Sequence, residues 1–218
     1  MFGKFKERQP NITVDKLEET FQVNHLGHLY LTLLLLENLK QNSPSRIIMV
    51  SSMLHDPDKK GVKGPAAHID FDNIMLTEKD NTFSSGLAYK NSKLANILFA
   101  YELSSRLPPN CGVTINAMNP GFIPRTGLMK ASSCKKCCFA CCFGMCGITA
   151  SLEDSSNCLV YMSCSDTLDD VTGKYFDSCK EIRSSRESYD KGVAVRLWNF
   201  SVDLLQIEEE PCVMALRV

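Results

Sequence analysis

Tyr89 and Lys93 stand four residues apart in the stretch Gly86-Leu-Ala-Tyr89-Lys-Asn-Ser-Lys93-Leu-Ala-Asn96. On a helix that spacing places them one above the other on a single face. A free phenol has a pKa of about 10 and exchanges protons poorly near neutrality. A neighbouring ammonium favours the phenolate and brings the group toward the range useful for general acid–base work. Lowering a phenol by about three units takes roughly 4 kcal/mol. One ammonium at short range in a partly dry site supplies much of that. The spacing alone is common, and the plain alternative is a helix on which the two groups never cooperate.

Three other stretches carry side chains suited to the same chemistry. Ser51 and Ser52 close the apolar run Arg46-Ile-Ile-Met-Val50. Asn24 sits among apolar neighbours in Val23-Asn24-His25-Leu26-Gly27-His28. An amide there must find hydrogen-bond partners or cost stability. Asn119-Pro120-Gly121-Phe122-Ile-Pro-Arg125-Thr126-Gly127 forms a rigid loop. The first two have bland counterparts: turn serines and a helix-packing asparagine. His25 and His28 have a spacing compatible with a metal, but nothing else in the sequence completes a site, so no metal is expected.

The elements that must position these residues alternate. Apolar positions from Leu17 through Leu39 recur at spacings of three and four and predict a helix from Thr13–Asp15 to about Gln41, with Thr13 or Asp15 as cap. Arg46–Val50 reads as a buried parallel strand, with Ser51 and Ser52 at its carboxyl end, where ligands gather in open parallel sheets. A long loop rich in Pro and Gly follows. The Tyr89 helix, with an apolar stripe of Leu94, Ile97, Leu98 and Tyr101, runs to about Arg106 and stops before Pro108-Pro109. Gly112–Met118 is a second strand and Gly173–Asp177 a short last one. Helices are predicted over Ser151–Ser165, with Leu152, Leu159 and Met162 on one face, and over Ser185–Gln206; the rest reads as a tail. The order is that of an α/β fold with a parallel sheet.

Composition narrows the function classes. The chain has 218 residues, 44% hydrophobic and 22% charged, with a net charge of −1. That is enough for one domain with a real core, and no basic surface argues for nucleic acid. The longest apolar run, Leu29–Leu36, is too short to span a bilayer. The N-terminal residues lack the apolar stretch of a signal peptide. Eleven cysteines, six of them between Cys134 and Cys146, do not form the spread of a secreted disulfide framework. The expectation is a reducing, cytoplasmic setting. Three readings of Cys134–Cys146 stay open: a zinc site lacking its usual second pair, S-acylation at a membrane surface beside Lys135 and Lys136, or an apolar helix using cysteine as a hydrophobe.

Taken together, Asn24-His-Leu-Gly27, Val50-Ser51-Ser52, Tyr89-x-x-x-Lys93 and Asn119-Pro120-Gly121 resemble the short-chain dehydrogenase/reductase family. The wording is most like its retinol dehydrogenase, WW-domain-containing oxidoreductase and protochlorophyllide reductase branches. The resemblance is strong over residues 13–130 and weaker at Gly173-Lys-Tyr-Phe176 and Val195-Arg-Leu-Trp198. It implies an NADP- or NAD-dependent oxidoreductase with a Rossmann-like, doubly wound sheet. In that family's terms Tyr89 is the general acid–base and Lys93 lowers its pKa and binds the nicotinamide ribose. Ser52 polarises the substrate oxygen, and Asn24 holds a water that feeds protons to Lys93. Pro120, Gly121, Phe122 and Thr126 line the nicotinamide pocket. The expected substrate is a small lipophilic alcohol or carbonyl, retinoid- or steroid-like. A homodimer and a peripheral contact with the endoplasmic reticulum surface are the expected associations.

The family's Thr-Gly-x-x-x-Gly-x-Gly cofactor loop and its Asn-Asn-Ala-Gly segment do not occur in the sequence. The expectation is therefore a single partial domain: catalytic part 13–130, Cys-rich segment 131–150, C-terminal substrate-side part 151–207. It would lack the N-terminal βαβαβ unit and have little activity alone. A non-catalytic fragment that pairs with another chain or a membrane surface is the alternative.

Overall fold

A computed structural model of the protein describes residues 9–77, 83–123 and 150–216. Among them, four strands form one sheet in the order β1 (Ser45–Val50), β2 (Val113–Asn119), β3 (Tyr175–Asp177), β4 (Lys180–Ile182). β1 and β2 are parallel, with Ser45 opposite Val113 and Val50 opposite Met118. β2 and β3 are parallel, and β3 and β4 antiparallel.

Side chains alternate across this sheet as the pleat requires. Ile47, Met49, Ile115, Ala117 and Tyr175 face a large core with Leu29, Leu33, Leu36, Ile97, Leu103 and Trp198. Ile48, Met118 and Phe176 face the opposite side, against Cys158 and Met162. Helices therefore cover both faces, and the expected α/β, Rossmann-like doubly wound architecture is what the chain builds. Burying each of the fully enclosed leucines 29, 33 and 36 contributes about 2 kcal/mol.

Helix α1 comes in three consecutive pieces: an α-turn Glu19–Phe21, a π-helical turn Gln22–Leu26 and an α-helix Gly27–Gln41. Its start differs from the sequence expectation. Glu18, not Thr13 or Asp15, is the cap, its carboxylate accepting the Phe21 N–H at 2.7 Å. The π turn inserts at Asn24, a distortion often found at functional sites.

Helix α2 (Ser85–Arg106) is capped by Ser84 and carries Tyr89 and Lys93. Helix α3 (Leu152–Cys164) begins at Ser151, whose hydroxyl accepts the Asp154 N–H at 2.9 Å. Its inward face is Ser155, Cys158 and Met162; Leu152 and Leu159, expected beside Met162, are exposed. The pattern misled because small and thiol side chains, not leucines, fit against the sheet. Helix α4 (Lys191–Leu205) follows a 3₁₀ turn, Arg186–Tyr189, and is capped by Asp190. The supposed tail instead forms α5 (Pro211–Met214), with Cys212, Val213 and Leu216 buried in the main core. The β3–β4 hairpin also went unforeseen: its turn residues, Ser178 and Cys179, both adopt positive φ without the usual Asn-Gly signal.

Candidate active site

Val50, Ser51 and Ser52 leave the carboxyl end of β1 beside the first turns of α2. The two serines divide the work. Ser51 donates to the Lys93 backbone carbonyl at 2.7 Å and ties strand to helix. Ser52 caps the short turn Met53–His55, accepting the Leu54 N–H, and its side chain lies near enough to the Tyr89 phenol to favour the phenolate.

Burial pushes that phenol above its ordinary 10.0, and the nearby Ser52 side chain brings it part of the way back. The effect expected of Lys93 is not what dominates here. Its Nζ lies 5.6 Å from the Tyr89 ring centroid and donates to the Val50 carbonyl at 3.0 Å. Burial lowers the Lys93 ammonium below 10.5. In this state burial disfavours the charged form of both groups. The phenol carries its proton, and Ser52 is the neighbour that acts against the effect of burial on it.

Asn24 reaches the same place by another route. Its amide donates to the Ser92 hydroxyl at 3.1 Å, and Ser92 donates to the Tyr89 carbonyl at 2.7 Å. The π turn thus aims Asn24 at the backbone that carries the tyrosine. Ser52, Tyr89, Lys93 and Asn24, chosen from sequence, converge on one locality at the tip of β1.

Several residues that frame this locality escaped the sequence reading. The Nδ1 of His55 lies 2.6 Å from the Ser52 carbonyl, and its Nε2 lies 3.1 Å from the Ser185 N–H. A backbone N–H only donates, so Nε2 accepts and Nδ1 carries the proton. Burial keeps this imidazole below the usual 6.5. The ring joins the Ser52 backbone to the C-terminal part of the chain. Lys90 donates to the carbonyls of Lys63 and Pro65, both at 2.7 Å, and pins the long loop over α2. His25 and Asn96 are wholly enclosed polar residues on otherwise apolar faces; a polar residue on an apolar stripe was the available signal.

On the far side, β2 ends in Asn119, whose amide donates to Asp177 at 2.9 Å; Lys59 pairs with the same carboxylate at 2.8 Å. Pro120 accepts the Ser155 hydroxyl through its carbonyl. Gly121 has φ +83°, and a Cβ there would sit 2.4 Å from the Ala150 Cβ. Only glycine allows this exit. The Phe122 carbonyl accepts the Ala150 N–H at 2.9 Å. Thr126 and Cys134–Cys146 lie outside the described residues. A cavity of about 750 Å³ opens nearby, lined by Pro57, Ala67, His68, Glu187 and Val193 among others, but not by Ser52, Tyr89 or Lys93.

The chain is 41% identical to human retinol dehydrogenase 13 over 200 residues, 90% of this chain and 56% of that protein. It is 37% identical to human retinol dehydrogenase 12 over 198 residues, 91% of this chain and 57% of that protein. Against the chicken (Gallus gallus) WW domain-containing oxidoreductase the identity is 35% over 195 residues, 89% of this chain and 45% of the other. The chain belongs to the short-chain dehydrogenase/reductase family. It spans about half the length of the curated relatives it matches. No family model matches it. A crystal structure of an uncharacterised protein from Mycobacterium paratuberculosis shares the fold, with a TM-score of 0.57 at 24% identity, covering 93% of this chain and 64% of that one.

The family's nicotinamide cofactor fits this dehydrogenase-like site at one end. Lys93 has spent one of its three N–H donors on Val50, and Tyr89 and Ser52 lie beside it. For the diphosphate end the sequence supplies no Gly-rich loop. Among the described residues no helix is long and apolar enough to cross a membrane.

Proposed function

We propose that this chain is the substrate-side part of an NAD(P)-dependent oxidoreductase that interconverts a lipophilic alcohol and its carbonyl. The observation that carries the reading is the gathering of Ser52, Tyr89 and Lys93 at one strand tip, with the Lys93 Nζ 5.6 Å from the Tyr89 ring and held at the Val50 carbonyl, two residues before Ser52 in sequence. In the reducing direction Tyr89 gives its proton to the substrate oxygen while Ser52 holds that oxygen by a hydrogen bond. Lys93, anchored at the Val50 carbonyl, supplies positive charge that stabilises the phenolate left behind. It keeps donors for the nicotinamide ribose. Asn24, through Ser92, holds the Tyr89 backbone. The cofactor, when bound, supplies or accepts the hydride. Retinoid- or steroid-like compounds are the proposed substrate class, in keeping with the names of the relatives. NADP and NAD stand as equal proposals.

Without a phosphate cradle the chain by itself turns over slowly or not at all. The test therefore supplies one. The cofactor-binding N-terminal part of human retinol dehydrogenase 13 is fused ahead of this chain, and the fusion is assayed with all-trans-retinal and NADPH or NADH. Turnover that falls by about 10²–10⁴ in Tyr89→Phe supports the reading. A folded, cofactor-binding fusion with no turnover of any lipophilic carbonyl refutes it.

A second reading rests on a specific surface. β1 is an edge strand of the described sheet, Val50 is 41% exposed, and Leu31, Leu34 and Leu35 of α1 are exposed. Such an edge pairs readily with another chain. On that reading Leu31→Lys and Leu34→Lys abolish self-association in sedimentation, and a monomeric parent chain excludes it.

A further inference from the structure

The cavity of about 750 Å³ lies between the long loop and the turn that leads into α4. Pockets of that size take small organic molecules. Ser52, Tyr89 and Lys93 are absent from its walls, so it is separate from the reacting groups. Pro57, Ala66, Ala67 and Val193 give it apolar sides.

Its shape is set by the chain's own bonds. The Glu187 carboxylate accepts the Ile69 N–H at 2.9 Å and stands 3.0 Å from the His68 Nδ1, which ties the loop to the turn. The His55 Nε2 accepts the Ser185 N–H at 3.1 Å. The Tyr189 ring stacks on Tyr101, with centroids 5.4 Å apart. The Asp190 Oδ1 accepts the Val193 N–H at 3.1 Å and caps α4.

Three polar groups of the lining take no part in that framework. Ser185 is 3% exposed, and its hydroxyl is enclosed without a hydrogen-bond partner. The hydroxyls of Ser184 and Ser188, by contrast, lie 2.6 Å apart. A hydroxyl orphaned away from water is costly and rare. Serine has three staggered settings of its single χ1, so the group can turn to a partner offered from the cavity. Asp58 and Arg186 are exposed, and among the described residues their side chains have neither a hydrogen bond nor an ion pair. Asp58, Glu187 and Asp190 set three carboxylates in the lining against one guanidinium and an imidazole already shared with Glu187. The field of such a lining favours a cation. Asp58 is the carboxylate with no other duty.

We propose that this cavity is a binding site for a small amphiphilic amine. The ammonium donates to the Ser185 hydroxyl, the carboxylates of the lining, Asp58 foremost, balance its charge, and the hydrocarbon body lies along the apolar sides.

The test uses the full chain, labelled with nitrogen-15, and three probes of similar size: 2-phenylethylamine, 2-phenylethanol and 3-phenylpropionate. Amide shifts are followed through each titration. The amine should bind in the millimolar range, as a fragment of this size does. It should move the amides of 66–69 and 185–193, and bind about fivefold more tightly than the alcohol. The carboxylate should bind least. Asp58→Asn should weaken the amine by roughly threefold and leave the alcohol unchanged. Ser185→Ala should also weaken the amine by roughly threefold, without lowering the thermal midpoint, because the hydroxyl it removes has no partner. An amine that binds no more tightly than the other two probes, shifts that fall elsewhere, or an amine affinity unchanged in either folded variant overturns the proposal. Asp58→Asn alters an exposed side chain, so it decides alone if Ser185→Ala does not fold. None of these measurements needs a cofactor or turnover, so their failure leaves the oxidoreductase reading standing, and an inactive fusion leaves the amine site standing.

Discussion

The pH dependence of stability follows from one enclosed imidazole. Desolvation holds His25 well below its ordinary 6.5, at about 4, with the Asn96 contact opposing and the charge of His28 adding. The folded state therefore keeps the ring neutral, whereas the unfolded chain protonates it below about pH 6.5. The unfolded state binds the extra proton, so stability rises with pH across this window. The contribution is present in full above 6.5 and is lost as pH falls toward 4. Between about pH 7 and about pH 4.5 the loss is about 2–3 kcal/mol, a large fraction of a domain's 5–15 kcal/mol or so. His25→Leu removes this component and substitutes a pH-independent cost, the loss of the Ser201 hydrogen bond. Urea unfolding of parent and variant, followed by Trp198 fluorescence at both pH values, separates the two. The parent should lose about 2–3 kcal/mol more than the variant on acidification. His55, also held neutral by burial, acts in the same direction in both proteins and cancels. Equal losses in the two proteins would show that His25 titrates normally in the fold, and the reasoning about its burial would fail.

Two further perturbations probe the frame around the site. Gly121→Ala places a Cβ against Ala150 in a backbone conformation disfavoured by about 1–2 kcal/mol, so its thermal midpoint should fall by several degrees, whereas Gly86→Ala, whose Cβ would meet the Ser84 hydroxyl at an ordinary contact distance of 3.6 Å, should leave it nearly unchanged. Arg106→Ala strips a buried partner from Glu102, both side chains being 9% exposed, along with a bond to the Leu216 carbonyl and contact with the Trp198 ring; a loss of about 3–5 kcal/mol in urea unfolding is expected, with part of it recovered in Arg106→Ala/Glu102→Ala.

Much of this was legible in the residues because two signals reinforced each other. The strands β1 and β2 announced themselves as short apolar runs ending in hydroxyl or amide residues, and α2 through its Tyr89–Tyr101 stripe. The candidate positions Ser52 and Tyr89 fell just past a strand end and in the first turns of a helix, where side-chain identity mattered more than burial. What stayed hidden depended on tertiary context. Nothing local marks Glu18 rather than Thr13 as the cap, since the Ile12–Glu18 bridge selects it. The Ser178–Cys179 turn carries no glycine. The burial of Cys212, Val213 and Leu216 requires a groove made by α1 and α2, which no window of sequence contains. His25 was weighed only as a metal ligand, because its partners Asn96 and Ser201 are far away along the chain.

The bond between the Phe122 carbonyl and the Ala150 N–H acts as a neck. Phe122 and Ala150, the two residues it joins, stand on either side of residues 124–149 in the sequence, beside a glycine that admits no bulk. The end of β2 and the approach to α3 are thereby clamped to each other by one backbone bond. A change of sequence between these two residues leaves that clamp intact so long as the backbone of Phe122 and Ala150 is kept.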